Sequence, residues 1–262
     1  MALQSPLPPD GADRRVGTAL RGGLAGQSTW LHMLDDFSSL MYAASVWVLP
    51  AVTAITLHEA AHGWMAWKLG DDTARRAGRL TFNPARHIDT FGTIILPAIL
   101  LLTRAPFLFG YAKPVPVNMS RLRKPRRDMM WVAAAGPGIN LVMAYLAALL
   151  MYATIVMPDA VRPWAFENLK NALVLNVVLA VFNMLPIPPL DGSRVVYGLL
   201  PPALAASYAR LERYGMALVV GLIVVPPLIG TLLGVNLDVL PRILLPPVGL
   251  VLDSILTLAG HS

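Results

Sequence analysis

The chain has no cysteine among its 262 residues. That excludes disulfides, thiolate zinc sites and cysteine nucleophiles together, so any bound metal must be held by His, Asp or Glu. Charge is scarce too: 14% of residues are Asp, Glu, Lys or Arg, where a soluble domain carries about a quarter. With 56% hydrophobic residues and a mean hydropathy of +0.59, too little polar surface remains to cover a water-soluble globule of this size. Internal repeats and heptads are also missing. No apolar core follows the basic pair Arg14 and Arg15, as a cleavable signal peptide would need. Residues 1–36 are therefore expected to form a flexible tail.

What the sequence does hold is a series of apolar segments, at about 37–69, 129–157, 169–185, 213–233 and 243–258. A helix crosses a hydrocarbon layer with about 20 residues. The expected fold class is an all-α polytopic membrane protein with about five to six transmembrane helices, residues 37–262 forming one membrane-embedded domain. A shorter apolar stretch, 90–102, leads into residues 107–118, which read FLFGYAKPVPVN. Pro114 and Pro116 alternate with Val115 and Val117, which favours extended chain. Irregular backbone at membrane depth must line a cavity or pack on protein. A re-entrant extended hairpin is expected here, with Val115 and Val117 pairing, strand-like, with an unwound peptide.

The formal net charge is +6. Its basic residues cluster in two short loops, Arg75, Arg76, Arg79 and Arg86 in one, and Arg121, Arg123, Lys124, Arg126 and Arg127 in the other. No aromatic residues interleave with them, so a nucleic-acid partner is not expected. Short basic loops between apolar segments mark a cytoplasmic face. The expected setting is the lipid bilayer of the cell membrane.

Within the first apolar segment stands His58-Glu59-Ala60-Ala61-His62, an HExxH pattern. Two histidines four apart share a helix face and reach one metal ion, while the adjacent Glu59 can accept a proton from an attacking water. With five His and three Glu in the chain, the pattern arises by accident roughly once in a thousand such sequences. Ionisable groups in an apolar helix are costly and usually face a functional cavity. Two imidazoles leave zinc short of one protein ligand. Asp191 is a candidate, because Pro186, Pro188 and Pro189 unwind the chain before it and Gly192 permits a turn after it. The same residue also fits a plain helix-terminal turn. Asp253, in another apolar run, competes for the role.

HEAAH in a first transmembrane helix, followed by NxxPxPPLDG at 183–192, resembles the site-2 protease family of intramembrane metalloproteases. Residues 78–97, 109–118 and 134–140 are similar to the same family, so the likeness spans about 57–200. It implies one zinc ion held by His58, His62 and Asp191, Glu59 as catalytic base, and Asn140 and Asn183 facing the active site and the substrate. The implied substrate is a membrane-anchored protein. Many relatives carry an additional peptide-binding or nucleotide-sensing domain, and no segment here is long and polar enough for either. Two other readings stand beside this one, a divalent-metal transporter and a proteolytically inactive scaffold.

Overall fold

The computed structural model describes residues 12–95, 99, 111–235, 237 and 239–261, and among these there is helix but no strand. Five helices are long and apolar enough to cross a membrane: Ser38–Lys68, Pro125–Val156, Arg162–Asn183, Pro202–Leu233 and Val239–Leu258. The chain divides into two compact units, Met1–Ser45 and Val46–Ser262. The second holds every residue of the site.

Helix α1 runs Ala12–Lys68. Its backbone includes residues 12–36 of the stretch 1–36 expected as a tail, of which residues 1–11 lie outside the described residues; no proline interrupts the chain between Pro9 and Pro50. Pro50 lies inside α1 and has no N–H, which leaves the carbonyl of Val46 without its intrahelical donor. Asn171 of a neighbouring helix supplies one, its Nδ2 donating to Val46 O at 3.0 Å.

Helix α2, Pro125–Met151, starts with Pro at its first position and continues into a 3₁₀ turn, Tyr152–Val156. Helix α3 is Arg162–Asn183. It begins seven residues before the apolar run that predicted it, because Pro163 sets the first turn and the next turns are polar on one side. Two short helices, α4 (Asp191–Leu199) and α5 (Pro202–Ala209), were not visible as apolar segments. Helices α6 (Gly215–Leu233) and α7 (Val239–Leu258) keep their prolines inside.

Small residues let the helices approach, as membrane bundles require. Ala144, Ala147 and Ala148 of α2 meet Leu173 and Val177 of α3 and Val248 and Ile255 of α7 in one buried cluster.

Of the stretch expected as a hairpin, residues 96–98 and 100–110 lie outside the described residues. Residues Thr90–Ile95 form a π-helical turn. Residues 111–118 carry neither helix nor strand. Tyr111 N donates to Gly92 O (3.0 Å) and Lys113 N to His87 O (2.9 Å), while the Lys113 and Pro114 carbonyls both accept from Arg79 Nη2, at 2.7 Å and 3.5 Å. The two basic loops meet at the end of α1, where Asp72 pairs with Arg76 at 2.7 Å and with Arg121 at 2.8 Å.

Candidate metal centre

His58 and His62 are both buried, on the face of α1 that looks at α2. The approach is close enough that residue 136 must lack a side chain. A Cβ built on Gly136 would fall inside contact distance of both imidazole rings, at 2.7 Å from His58 Cε1. Each ring is fixed from behind through Nδ1. His62 Nδ1 stands 2.7 Å from Val132 O. A carbonyl can only accept, so Nδ1 carries the hydrogen and Nε2 is left with its lone pair. His58 Nδ1 stands 2.5 Å from Asn140 Oδ1, which assigns its proton in the same way.

Asp191 arrives from the other side. Residues 184–190 leave the helix after Asn183 in a succession of turns, and α4 starts at Asp191. The carboxylate is thus at the first position of a new helix rather than on an unwound tail. Gly192 allows the fold-back, since a Cβ there would strike the carbonyls of Met184 and Leu185. The far end of α4 is tied down by Arg126, which donates to Tyr197 O at 3.1 Å and to Leu200 O.

The result is a tight group. Asp191 Oδ2 lies 3.1 Å from His58 Nε2 and 3.2 Å from His62 Nε2, and the two Nε2 atoms are 3.0 Å apart. Ligand atoms about 2.0–2.2 Å from a tetrahedral zinc would stand roughly 3.3–3.5 Å from one another. Three electron-pair donors facing one point, two of them with their protons assigned elsewhere, form a group that could hold a metal ion. The donor set therefore fits zinc.

Glu59 lies beside the group. Its Oε2 accepts from the Val115 amide at 2.8 Å, which ties this turn of α1 to the segment 111–118. A cavity of about 150 Å³ is lined by Glu59, Asp191, Asn183, Val117 and Arg194 together with the histidines. The structure thus brings together His58, Glu59, His62, Asp191, Asn183 and Val117.

One expectation changes. Asn140, expected against substrate, is fully buried behind His58, and its Nδ2 donates to Asn176 Oδ1 at 2.7 Å. Val115 lines the cavity with Val117, and its side chain packs on α1, where a Cβ on Gly63 would stand 3.1 Å from its Cγ1. Asp253 is exposed on α7 and takes no part. His87 and His261 serve carbonyls, Thr81 O at 3.0 Å and Ala148 O at 2.8 Å.

Sequence reading did not single out Asn176 or Arg194. Asn176 gave no local signal, being one of several asparagines on an apolar helix. Arg194 stands three residues after Asp191 and so on the same face of α4.

No family model matches the chain, and no solved structure matches it. Curated proteins do. "Putative zinc metalloprotease YwhC" of Bacillus subtilis is 39% identical over 183 residues, 68% of this chain and 80% of that protein. "Putative zinc metalloprotease Rip2" of Mycobacterium tuberculosis is 30% identical over 220 residues, 83% of this chain and 80% of that one. With that identity and coverage on both sides, the chain belongs to the zinc metalloprotease family of YwhC and Rip2.

Proposed function

We propose that this protein is an intramembrane zinc endopeptidase of the site-2 protease type, hydrolysing peptide bonds within or beside the transmembrane segments of membrane-anchored proteins. The observation that carries the reading is the convergence of His58, His62 and Asp191, with Glu59 beside them, among helices long enough to span a bilayer. A transporter would want a succession of ligands along a path. Among the described residues there is one metal-competent group, which favours the enzyme.

His58, His62 and Asp191 hold one zinc ion in this reading. When bound, zinc supplies Lewis acidity, polarising the scissile carbonyl and bringing the pKa of water to about 7. Glu59 accepts the proton of the attacking water and returns it to the leaving amine. The Val115 amide keeps the Glu59 carboxylate beside the histidines. A helical substrate conceals its carbonyls, so it must unwind before attack. The segment Lys113–Val117 pairs, strand-like, with that unwound chain. Val117 and Asn183 contact the substrate, Asn183 as a hydrogen-bond partner for the developing oxyanion. In this reading the two basic loops at the end of α1 face the cytoplasm, and the site lies near that surface of the cell membrane.

The test is the full chain, purified in detergent, with a transmembrane peptide as substrate. One zinc per chain and cleavage of the peptide are expected. Glu59→Gln should keep the zinc and lose about 10²–10⁴ in rate. Loss of zinc in that variant, or a rate within tenfold of wild type, would refute the assignment. Fragments accumulating in membranes of cells that carry Glu59→Gln would identify the substrates.

A further inference from the structure

His58 and His62 are held by different means. His62 donates directly to a backbone carbonyl, whose role cannot change. His58 donates to Asn140, and an amide side chain has two ends. Reversed, Asn140 would present its NH₂ to His58 Nδ1. That nitrogen would then have to accept, the ring proton would move to Nε2, and the lone pair needed in the metal group would be lost.

We infer that Asn176 is a positioning residue of the metal site, fixing the orientation of the Asn140 amide and, through it, the tautomer of His58. The inference rests on the zinc-site reading above. Asn140 Nδ2 donates to Asn176 Oδ1 at 2.7 Å, with a longer contact to Ala54 O at 3.5 Å, and Asn176 Nδ2 donates to Ala172 O at 2.8 Å. Ala172 O is a backbone carbonyl and can only accept. Reversing Asn176 would set oxygen against oxygen there, and reversing Asn140 alone would do the same at Asn176. Polarity therefore passes from a carbonyl on α3, through two amides, to the ring on α1. Asn140 and Asn176 are 0% and 1% exposed, so solvent cannot stand in for a missing partner. Partners behind a metal-bound histidine set its tautomer and orientation, and removing one typically weakens metal binding about 10–100-fold.

The relay makes a prediction that ordinary packing does not. A carboxylate at position 140 has no wrong end, because either oxygen accepts from His58. Asn176 should matter only while residue 140 is an amide. Zinc affinity is measured by competition with a chromophoric chelator, on full-length protein in detergent, for wild type, Asn176→Leu, Asn140→Asp and the double variant. Asn176→Leu alone should weaken zinc about tenfold or more. In the Asn140→Asp background the same change should leave affinity within about twofold, or tighten it, since it removes the oxygen facing the new carboxylate. Equal losses in both backgrounds, or none in either, would overturn the relay. If Asn176→Leu does not yield a monodisperse protein, Asn176→Ala carries the same comparison. A wild-type chain that binds no zinc refutes the zinc reading itself, a result distinct from wild type and Asn176→Leu binding zinc alike.

Discussion

One stripe of α2 does two different jobs. Val132, Gly136 and Asn140 lie on it at intervals of four, and Ala144 and Ala148 continue the same face. The first three meet the histidines of α1, with a carbonyl, an empty space and an amide. The last two meet Val177, Val248 and Ile255 with methyl groups. In the first half every contact has a direction: a donor must find an acceptor, and a missing side chain must stay missing. In the second half the contacts are dispersion between small residues, which tolerate volume-conserving change. The same helix face is therefore sensitive to single atoms at one end and forgiving at the other.

The strongest way to break the polar half is to remove a ligand. Asp191→Ala leaves two imidazoles, which hold zinc far more weakly than three ligands. Zinc should be lost on dialysis against a mild chelator, and hydrolysis with it. Asp253→Ala is the paired control and should retain both, because Asp253 is exposed on α7. Metal retained by the first variant and lost by the second would mean that the ligand set is wrong.

A smaller change sharpens the contrast without touching any ligand. Gly136→Ala adds one methyl group where both histidine rings stand. The rings must move, and zinc affinity should fall about 10–100-fold, as when an orienting partner is lost. Gly138, two residues on, has nothing within 4 Å of an added Cβ. Gly138→Ala should bind zinc as wild type does and should melt no lower. Equal behaviour of the two variants in a chelator competition would show that the close approach at Gly136 is unimportant.

The sequence made parts of this arrangement legible and concealed others, for physical reasons. His58, Glu59 and His62 could be read because they lie on one helix with the period of that helix. Asp191 could be read as a candidate because prolines announce an unwound chain. It became a ligand only through the resemblance, and the structure adds that it opens α4. Asn140 was expected against substrate because family position cannot distinguish the front of a histidine from its back. Asn176 was invisible, since its significance depends on three helices meeting. The membrane spans followed from hydropathy. The start of α3 was misplaced because its first turns are polar, as helix ends near an interface can be. Short α4 and α5 were missed because neither is a long apolar run.

The mildest prediction asks whether every buried asparagine in this bundle serves the metal. Asn171 is also buried, at 6% exposure, and stands five residues before Asn176 on α3. Its partner, however, is Val46 O, the carbonyl that Pro50 leaves without a donor. Its role is to repair a helix. Asn171→Leu should lower stability by about 1 kcal/mol, within the range for one net hydrogen bond and for polar contacts between membrane helices. Zinc affinity should not change. The control restores the repair by another route: Pro50→Ala returns an N–H that can donate to Val46 O from within α1. In that background Asn171→Leu should cost less than it does in wild type, and the shortfall measures the coupling between the two positions. Thermal melts of the four proteins, each with and without zinc, give the answer. If Asn171→Leu weakens zinc as strongly as Asn176→Leu does, the division between metal-orienting and helix-repairing asparagines fails. If its cost is the same with Ala or Pro at position 50, Asn171 is not filling the gap that Pro50 opens.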